Sequence, residues 1–549
     1  MPIPSYSHGA SDTPLLGDTI GVNFERAAAR FADRPALISR GQEVRLTYAQ
    51  LDAAIDAAAS GLLRAGIRAG DRIGIWAPNC AEWLLVQYAT AKIGAILVNI
   101  NPAYRVHELE YVLREAGVRL LFSASTFKTS DYAAMIDEVS PGIGTLERTV
   151  FVDRPEWDEL CASEPDRDAI AARMASLSFD DPINIQYTSG TTGFPKGATL
   201  SHHNLLNNGF FVTELLALTE QDVTCLPVPL YHCFGMVMGN LGTLAHGGCV
   251  VLPAPSFEPR ATLEAVEAEG VTSLYGVPTM FIAMLGHEDF DSFDLSSLRT
   301  GIMAGSPCPI EVMKTVVDRM HMTEVAICYG MTETSPVSTQ TRVDDPLERR
   351  VSTVGRAAPH VEIKVIDPET SLVVERGEPG ELCTRGYSVM LGYWPTHPTP
   401  SPLTAEAVDG AGWMRTGDLA TMDDDGYLNI VGRSKDMIIR GGENIYPREL
   451  EEFLYEHDDI VDVQVVGVPD EKYGEELCAW VRLKPGADLD EDAVREFCRA
   501  RLAHFKVPRY VIFADEFPLT ITGKVQKFKM RDASIDRLAL QGAAGVRNA

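Results

Sequence analysis

Positive charge is scarce in this chain. Its 549 residues carry 48 Lys and Arg against 77 Asp and Glu, a formal net charge of −29 at neutral pH. That balance speaks against nucleic acid or an anionic membrane as a general partner and fits a solvated acidic surface. A protein of this charge that holds a polyanion must gather its cations locally. Cysteine pairs are missing too: the ten cysteines are scattered, with no Cys-x-x-Cys and no Cys/His cluster at zinc spacing. They read as small core residues in a reducing compartment. The start, Met1-Pro-Ile-Pro-Ser-Tyr-Ser-His-Gly9, has neither a basic n-region nor an apolar core, so no secretory signal is expected. No apolar run reaches bilayer length. The nearest approach, Leu84 to Ile100, is broken by Gln87, Lys92 and Gly94 and reads as a helix followed by a strand. A cytoplasmic chain with no integral membrane segment is expected. Short-period repeats and low-complexity segments are absent as well.

What is there is an ordinary large core. Hydrophobic residues make up 45% and charged residues 23%, the composition of soluble globular proteins. The length suggests three to four units of roughly 150 residues. From Tyr48 onward helix and strand patterns alternate. Leu51, Ile55, Leu62 and Leu63 form a helical stripe, Arg72–Trp76 a strand, Ala81–Lys92 a helix, Ala95–Val98 a strand, Tyr104–Ala116 a helix and Val118–Phe122 a strand. Alternation of this kind predicts parallel sheets covered by helices. Asp423-Asp-Asp-Gly426 predicts a hairpin turn, part of a small β-rich region. Near Gly432 the character changes. Pro447 suits a first helical position, with Glu449, Glu451 and Glu452 following and Leu450, Phe453 and Leu454 on the buried face. Strands over Val461–Val468 and Leu477–Leu483 and a helix over Asp492–Leu502 complete a smaller, compact α+β unit. The expected division is residues 1–433 and 434–549.

The segment most concentrated in chemistry is Tyr187-Thr-Ser-Gly-Thr-Thr-Gly-Phe-Pro-Lys-Gly197. Gly190, Gly193 and Gly197 let backbone N–H groups turn toward an anion. Thr188, Ser189, Thr191 and Thr192 add rotatable donors, and Lys196 adds a point charge suited to phosphate. Ile183–Tyr187 alternates as a strand, and Leu205 and Leu206 suit a helix after the loop, so the order strand–loop–helix is expected. It is not a Walker loop, because Lys196 stands between Pro195 and Gly197 with no Ser or Thr after it. Taken alone, an ordinary Gly/Thr-rich surface turn is the rival; a loop that holds a nucleotide fits this content better.

The whole string resembles the signature loop of the adenylate-forming superfamily, which includes acyl-CoA synthetases, luciferase-like enzymes and the adenylation domains of peptide synthetases. Tyr329-Gly-Met-Thr-Glu-Thr334, Thr416-Gly-Asp418, Gly432-Arg-Ser-Lys-Asp436 and Thr522-Gly-Lys524 resemble further motifs of that family, in its order and at similar spacing. The resemblance implies ATP, Mg2+ and coenzyme A as cofactor and co-substrates, with the loop from Thr188 to Lys196 on the β- and γ-phosphates. It implies Glu333 as magnesium ligand, Thr332, Tyr329 and Gly330 around the adenylate, and Gly305, Ser306 and Pro307 along the purine. Asp418 and Arg433 would hold the ribose, a task an ionised carboxylate performs with two acceptor oxygens. Lys524 would bridge the substrate carboxylate and α-phosphate as charge develops, while Lys527 and Lys529 read as solvated surface charges. Lys435 would be the hinge of a domain rotation that withdraws Lys524 before thioester formation. Gly441, Gly442 and Asn444 would face the CoA arm.

By the same resemblance, Tyr231-His-Cys-Phe-Gly-Met236 and Tyr275-Gly-Val-Pro278 line the acyl pocket, with His232, Phe234, Gly235, Met236, Tyr275 and Val277 as its residues. These are mostly apolar, and no Asp stands ready for an amino-acid ammonium, which favours a plain or aromatic acid. The implied activity is ATP-dependent acyl-CoA ligation, acting on a medium- or long-chain fatty acid. Aryl-acid CoA ligases, carrier-loading adenylating enzymes and a luciferase-like oxygenase stay open, as does a silent nucleotide- or acyl-binding protein, although such a protein would be expected to lose Lys524, Glu333 or Lys196. A homo-oligomer is also left open.

Overall fold

Two largely parallel sheets flanked by helices carry most of the chain, as the alternating pattern implies. The computed structural model describes residues 3–188, 195–396, 401–433, 436–440, 443–470, 472–499, 502, 504–520 and 523–541. In the first sheet Arg148–Phe151, Leu120–Ser123, Arg72–Trp76, Ile96–Asn99 and Pro182–Thr188 lie side by side and parallel. Lys196–Ser201 and Gly392–Tyr393 extend it antiparallel. In the second, Glu324–Gly330, Thr300–Ala304, Ser273–Gly276, Val223–Cys225, Cys249–Leu252 and Pro35–Ser39 are parallel neighbours in that order. A third sheet, antiparallel throughout, is the small β-rich part and includes Met414–Met422 and Leu428–Arg433 across the expected hairpin turn.

The region after the glycine loop departs from expectation. The chain does not pass directly into a helix; it returns as the strand Lys196–Ser201, paired with Pro182–Thr188 so that Thr188 faces Lys196. Only then does the helix His202–Glu214 begin, with Ser201 as its cap accepting from the Asn204 N–H at 3.1 Å. Thr188 and Lys196 are therefore partners in a hairpin, and the helix starts only after its second strand. Six residues with only Ala198 and Leu200 as strongly apolar members carry too short an alternation to stand out as a strand.

The helix Ala81–Ile93 is buried at every position except Glu82 and ends at Gly94, whose φ of 72° a glycine adopts freely. Its single cation, Lys92, is fully buried, with Nζ 2.6 Å from Asp56, 2.8 Å from Asp52 and 3.1 Å from Glu25. Burial works against the charge, but Asp52 and Asp56 outweigh it and hold the ammonium above its ordinary value. Among the described residues no helix is long and apolar enough to cross a membrane. Nine of the ten cysteines are buried and all are free, as small core residues.

The C-terminal unit has a sheet of its own. Gly474–Leu483 pairs antiparallel with Ile460–Asp470 and Ile438–Arg440 and parallel with Tyr510–Phe513. The helix Pro447–Tyr455 packs Leu450 and Leu454 with Val463, Val465, Val481 and Val494 on one face; Trp480, Val468 and Met530 occupy the other. Lys527 is not a solvated surface charge: its Nζ lies 2.6 Å from the buried carboxylate of Glu451 and 3.2 Å from the Val465 carbonyl. Glu451 in turn accepts from the Val465 N–H at 2.8 Å. A buried acid needs a partner, and Lys527 is the cation its fold brings over.

Candidate functional site

The C-terminal ends of parallel strands are where open α/β sheets bind ligands, and four such ends meet here. Pro182–Thr188 runs into the glycine loop, Ser273–Gly276 into Val277, Thr300–Ala304 into Gly305-Ser-Pro307, and Glu324–Gly330 into Met331-Thr-Glu-Thr334. Gly330 is required by close approach: a Cβ there would stand 1.8 Å from the Pro336 carbonyl oxygen. The tight reversal that follows is closed by Thr334, whose hydroxyl oxygen accepts from the Met331 N–H at 3.1 Å. It drops Thr332 and Glu333 into the protein, both buried.

Glu333 Oε1 accepts from the Tyr393 hydroxyl at 2.9 Å and faces Thr188 Oγ1 at 3.4 Å. Lys196 Nζ stands 5.3 Å from the centre of the Tyr393 ring, over its face. One tyrosine thus ties the acid to the cation of the loop hairpin. Burial first, then the neighbouring Glu333, pushes the Tyr393 phenol well above its ordinary range, so it stays a donor. Tyr393 was not among the expected residues; it lies 60 positions from Glu333, and only the strand pairing of Gly392–Tyr393 with Ala198 and Thr199 brings it in. On the other side Tyr329 donates to Asp418 Oδ2 at 2.6 Å, and Asp418 pairs in register with Arg433. The side chain of Arg433 lies outside the described residues, as do Ser189, Gly190, Thr191, Thr192 and Gly193.

The C-terminal unit supplies Lys524. The turn before it is closed by Thr520: its N–H donates to the Lys524 carbonyl at 2.7 Å, and its hydroxyl accepts from the Lys524 N–H at 3.0 Å. Gly523 sits at φ +78°, and a Cβ there would meet Val277 Cγ2 at 2.7 Å. The Lys524 side chain runs past Gly305, whose own Cβ, were there one, would lie 3.4 Å from Lys524 Cε. It reaches far enough to act on His232 and Cys233. Desolvation first, and Lys524 second, push His232 down to about 3; burial pushes the Cys233 thiol up to about 12 against the pull of Thr332 and Lys524. His232 Nδ1 accepts from the Phe234 N–H at 3.1 Å, which leaves the ring proton of the neutral imidazole on Nε2. Cys233, 3.8 Å from Thr332 Oγ1, is a second residue that the sequence pattern did not single out.

Phe234, Gly235 and Met236 open a buried π-helix, Phe234–Leu241, a rare element often found at functional sites. The Phe234 and Tyr275 rings lie 5.9 Å apart, so two of the expected acyl segments do meet. Val277 stands at the edge of this group, its two methyls toward Gly305 and Gly523. Lys435, Gly441 and Gly442 and the Asn444 side chain lie outside the described residues.

Comparison with known proteins identifies the family and the fold. The family model for AMP-binding enzymes matches residues 24–394, and that for the AMP-binding enzyme C-terminal domain matches residues 449–524. YngI of Bacillus subtilis is 48% identical over 550 residues, covering 96% of this chain and 99% of its own. The human mitochondrial medium-chain acyl-CoA ligase ACSF2 is 44% identical over 553 residues, covering 96% and 89%. Among solved structures, the anthranilate CoA ligase AuaEII in complex with anthranoyl-AMP superposes with a TM-score of 0.87 at 27% identity over 96% of this chain and 99% of that one. ATP-bound MatB from Rhodopseudomonas palustris does so with a TM-score of 0.83 at 30% identity over 94% and 99%. The family models together cover both the strand-end cluster and Lys524, and the chain belongs to the AMP-binding, adenylate-forming enzymes.

Proposed function

We propose that this acid–thiol ligase activates an apolar carboxylic acid with ATP and transfers the acyl group to coenzyme A. The convergence of Lys524 from one unit with Thr332, Glu333 and Lys196 from the other carries the reading. A carboxylate oxygen attacks the α-phosphorus, the bond to pyrophosphate breaks, and an acyl-adenylate forms. Lys524 offsets the charge that gathers between carboxylate and α-phosphate beside the buried Thr332, Glu333 and Cys233, where such a charge counts for most. Lys196 and the loop before it hold the departing phosphates, and Asp418 with Tyr329 holds the ribose and adenine side. In the second step the CoA sulfur bonds to the acyl carbon and AMP leaves.

Glu333 suits a magnesium ion: it is a buried carboxylate with a hydroxyl, Thr188, beside it, and a hard cation takes oxygen ligands and retains waters. Glu333 would hold the ion, whose chemistry is neutralisation of phosphate charge. The division at residues 433/434, with Lys435 as hinge, belongs to the same proposal; the two family matches leave residues 395–448 between them.

The substrate we propose is a medium- or long-chain fatty acid. Support comes from the buried Phe234, Met236 and Tyr275 and from the medium-chain ligase among the relatives. The aromatic acid named for the AuaEII structure is the competing class. Pyrophosphate exchange across saturated acids and benzoates tests this, followed by a choice between CoA and a carrier thiol. Exchange confined to benzoates would overturn the fatty-acid assignment, and transfer to the carrier alone would overturn the CoA assignment.

A further inference from the structure

The C-terminal unit meets the larger one along a seam that includes an open cleft. A cleft of about 300 Å³ opens there between Ile310, Asn429 and Ile430 on one side and Tyr446, Arg448 and Glu452 on the other. Discrete polar contacts across such a seam matter more than packing. Arg448 donates to the Ile430 carbonyl at 3.0 Å, close to where the chain itself joins the units, and so adds little to orientation. Two other contacts join the units, one far from the connection along the chain and one a helical turn beyond Arg448. Thr279 Oγ1, on the helix Pro278–Leu285, donates to the Gly523 carbonyl at 3.2 Å, linking positions 244 residues apart. The Ile310 N–H, at the start of the helix Ile310–Arg319, donates to Glu452 Oε2 at 3.3 Å.

We infer that Thr279 and Glu452 are positioning residues for Lys524: together they set the angle at which the C-terminal unit delivers the lysine to the site. Thr279 acts on the residue directly before Lys524, and its first-turn neighbours leave no slack. A Cβ at Gly523 would lie 2.7 Å from Val277 Cγ2 and 3.1 Å from Thr279 Oγ1, so the turn is seated against this helix. Glu452 works from the helix Pro447–Tyr455, one turn beyond Arg448. Its neighbour Glu451 is tied to Lys527, three residues beyond Lys524, at 2.6 Å. The helix Pro447–Tyr455 therefore holds the lysine segment with one carboxylate and grips the larger unit with the next. Two separated contacts fix an orientation that one alone would leave free to pivot. The inference rests on the role proposed for Lys524.

The test separates the two half-reactions. Acid-dependent pyrophosphate exchange reports adenylation, and CoA transfer from a synthetic acyl-adenylate reports the second step. Thr279→Val keeps the shape and removes the donor. Loss of one hydrogen bond made where Lys524 is delivered should lower kcat for adenylation roughly tenfold with little change in KM for ATP. Thioester formation should stay within about twofold, since no role in that step is required of Thr279. Thr279→Ser, which restores the hydroxyl, should recover adenylation, and Glu452→Ala should show the same split as Thr279→Val. Lys524→Ala is the control. If Lys524→Ala adenylates normally, the proposed role of Lys524 falls, and this inference with it. If Lys524→Ala loses adenylation while Thr279→Val and Glu452→Ala keep it, or lose both half-reactions equally, the lysine's role stands and the positioning inference alone is overturned.

Discussion

At Tyr393 one side chain serves two charges, its hydroxyl donating to Glu333 at 2.9 Å while its ring lies under Lys196. Tyr393→Phe keeps the ring and removes the donor, so the Glu333 oxygen loses a partner in a buried setting. A lost hydrogen bond to a charged group costs about 1.5–3 kcal/mol, and about tenfold or more should disappear from kcat/KM for ATP. A titration with Mg2+ at fixed ATP should shift as well; an unshifted titration with unchanged kcat/KM would remove Tyr393 from the site. Val277 leads to a second expectation. Its methyls lie against Gly305 and the Gly523 turn, so Val277→Phe should push the Lys524 turn outward and lower adenylation of short and long acids alike. A loss confined to long acids would place the side chain in the acyl cavity instead.

Among the elements, the helix His202–Glu214 carries an acid-sensitive group at its first position. His202 is fully buried, accepts from the Ile20 N–H at 3.2 Å through Nδ1, and is pushed by burial from 6.5 down to about 3. A proton there would also stand at the positive end of the helix dipole. Between those two values the unfolded chain binds a proton that the folded chain refuses, so this contribution is complete above pH 6.5 and is lost as the pH falls toward 3. From neutral to pH 5 the loss is about 2 kcal/mol. His202→Asn, which keeps an acceptor for Ile20, should flatten that slope in urea unfolding at the two pH values; an unchanged slope would mean that other groups set acid stability. Elements of this kind differ in how far the residues announce them. The helix Ala81–Ile93 and the strand Arg72–Trp76 were legible because their length and apolar content suffice locally. The return strand Lys196–Ser201 was not, since its identity comes from pairing with Pro182–Thr188 rather than from its own pattern. The same holds within the site. Glu333 and Asp418 were legible from contiguous motifs, whereas Tyr393 and Thr279 enter through contacts that only the folded sheets and the docked C-terminal unit create.

For the whole molecule, the proposed hinge at Lys435 predicts an asymmetry between the steps. Proline fixes φ and removes an N–H, so Lys435→Pro should restrict reorientation and leave adenylation less affected than transfer to CoA. Equal rates for both steps in the variant, matching the native protein, would remove the hinge from position 435. The docked turn at Gly523–Lys524 has a consequence for biosynthesis as well. Every other residue proposed for the nucleotide precedes Lys524 in the chain, and both large sheets are complete well before it. During synthesis from the N-terminus, a growing chain can assemble its nucleotide-holding surface while the residue that drives adenylation has not yet been made. A chain interrupted before Lys524 would then be a nucleotide-binding protein that leaves ATP intact, and reactive acyl-adenylate would arise only on molecules able to pass it on.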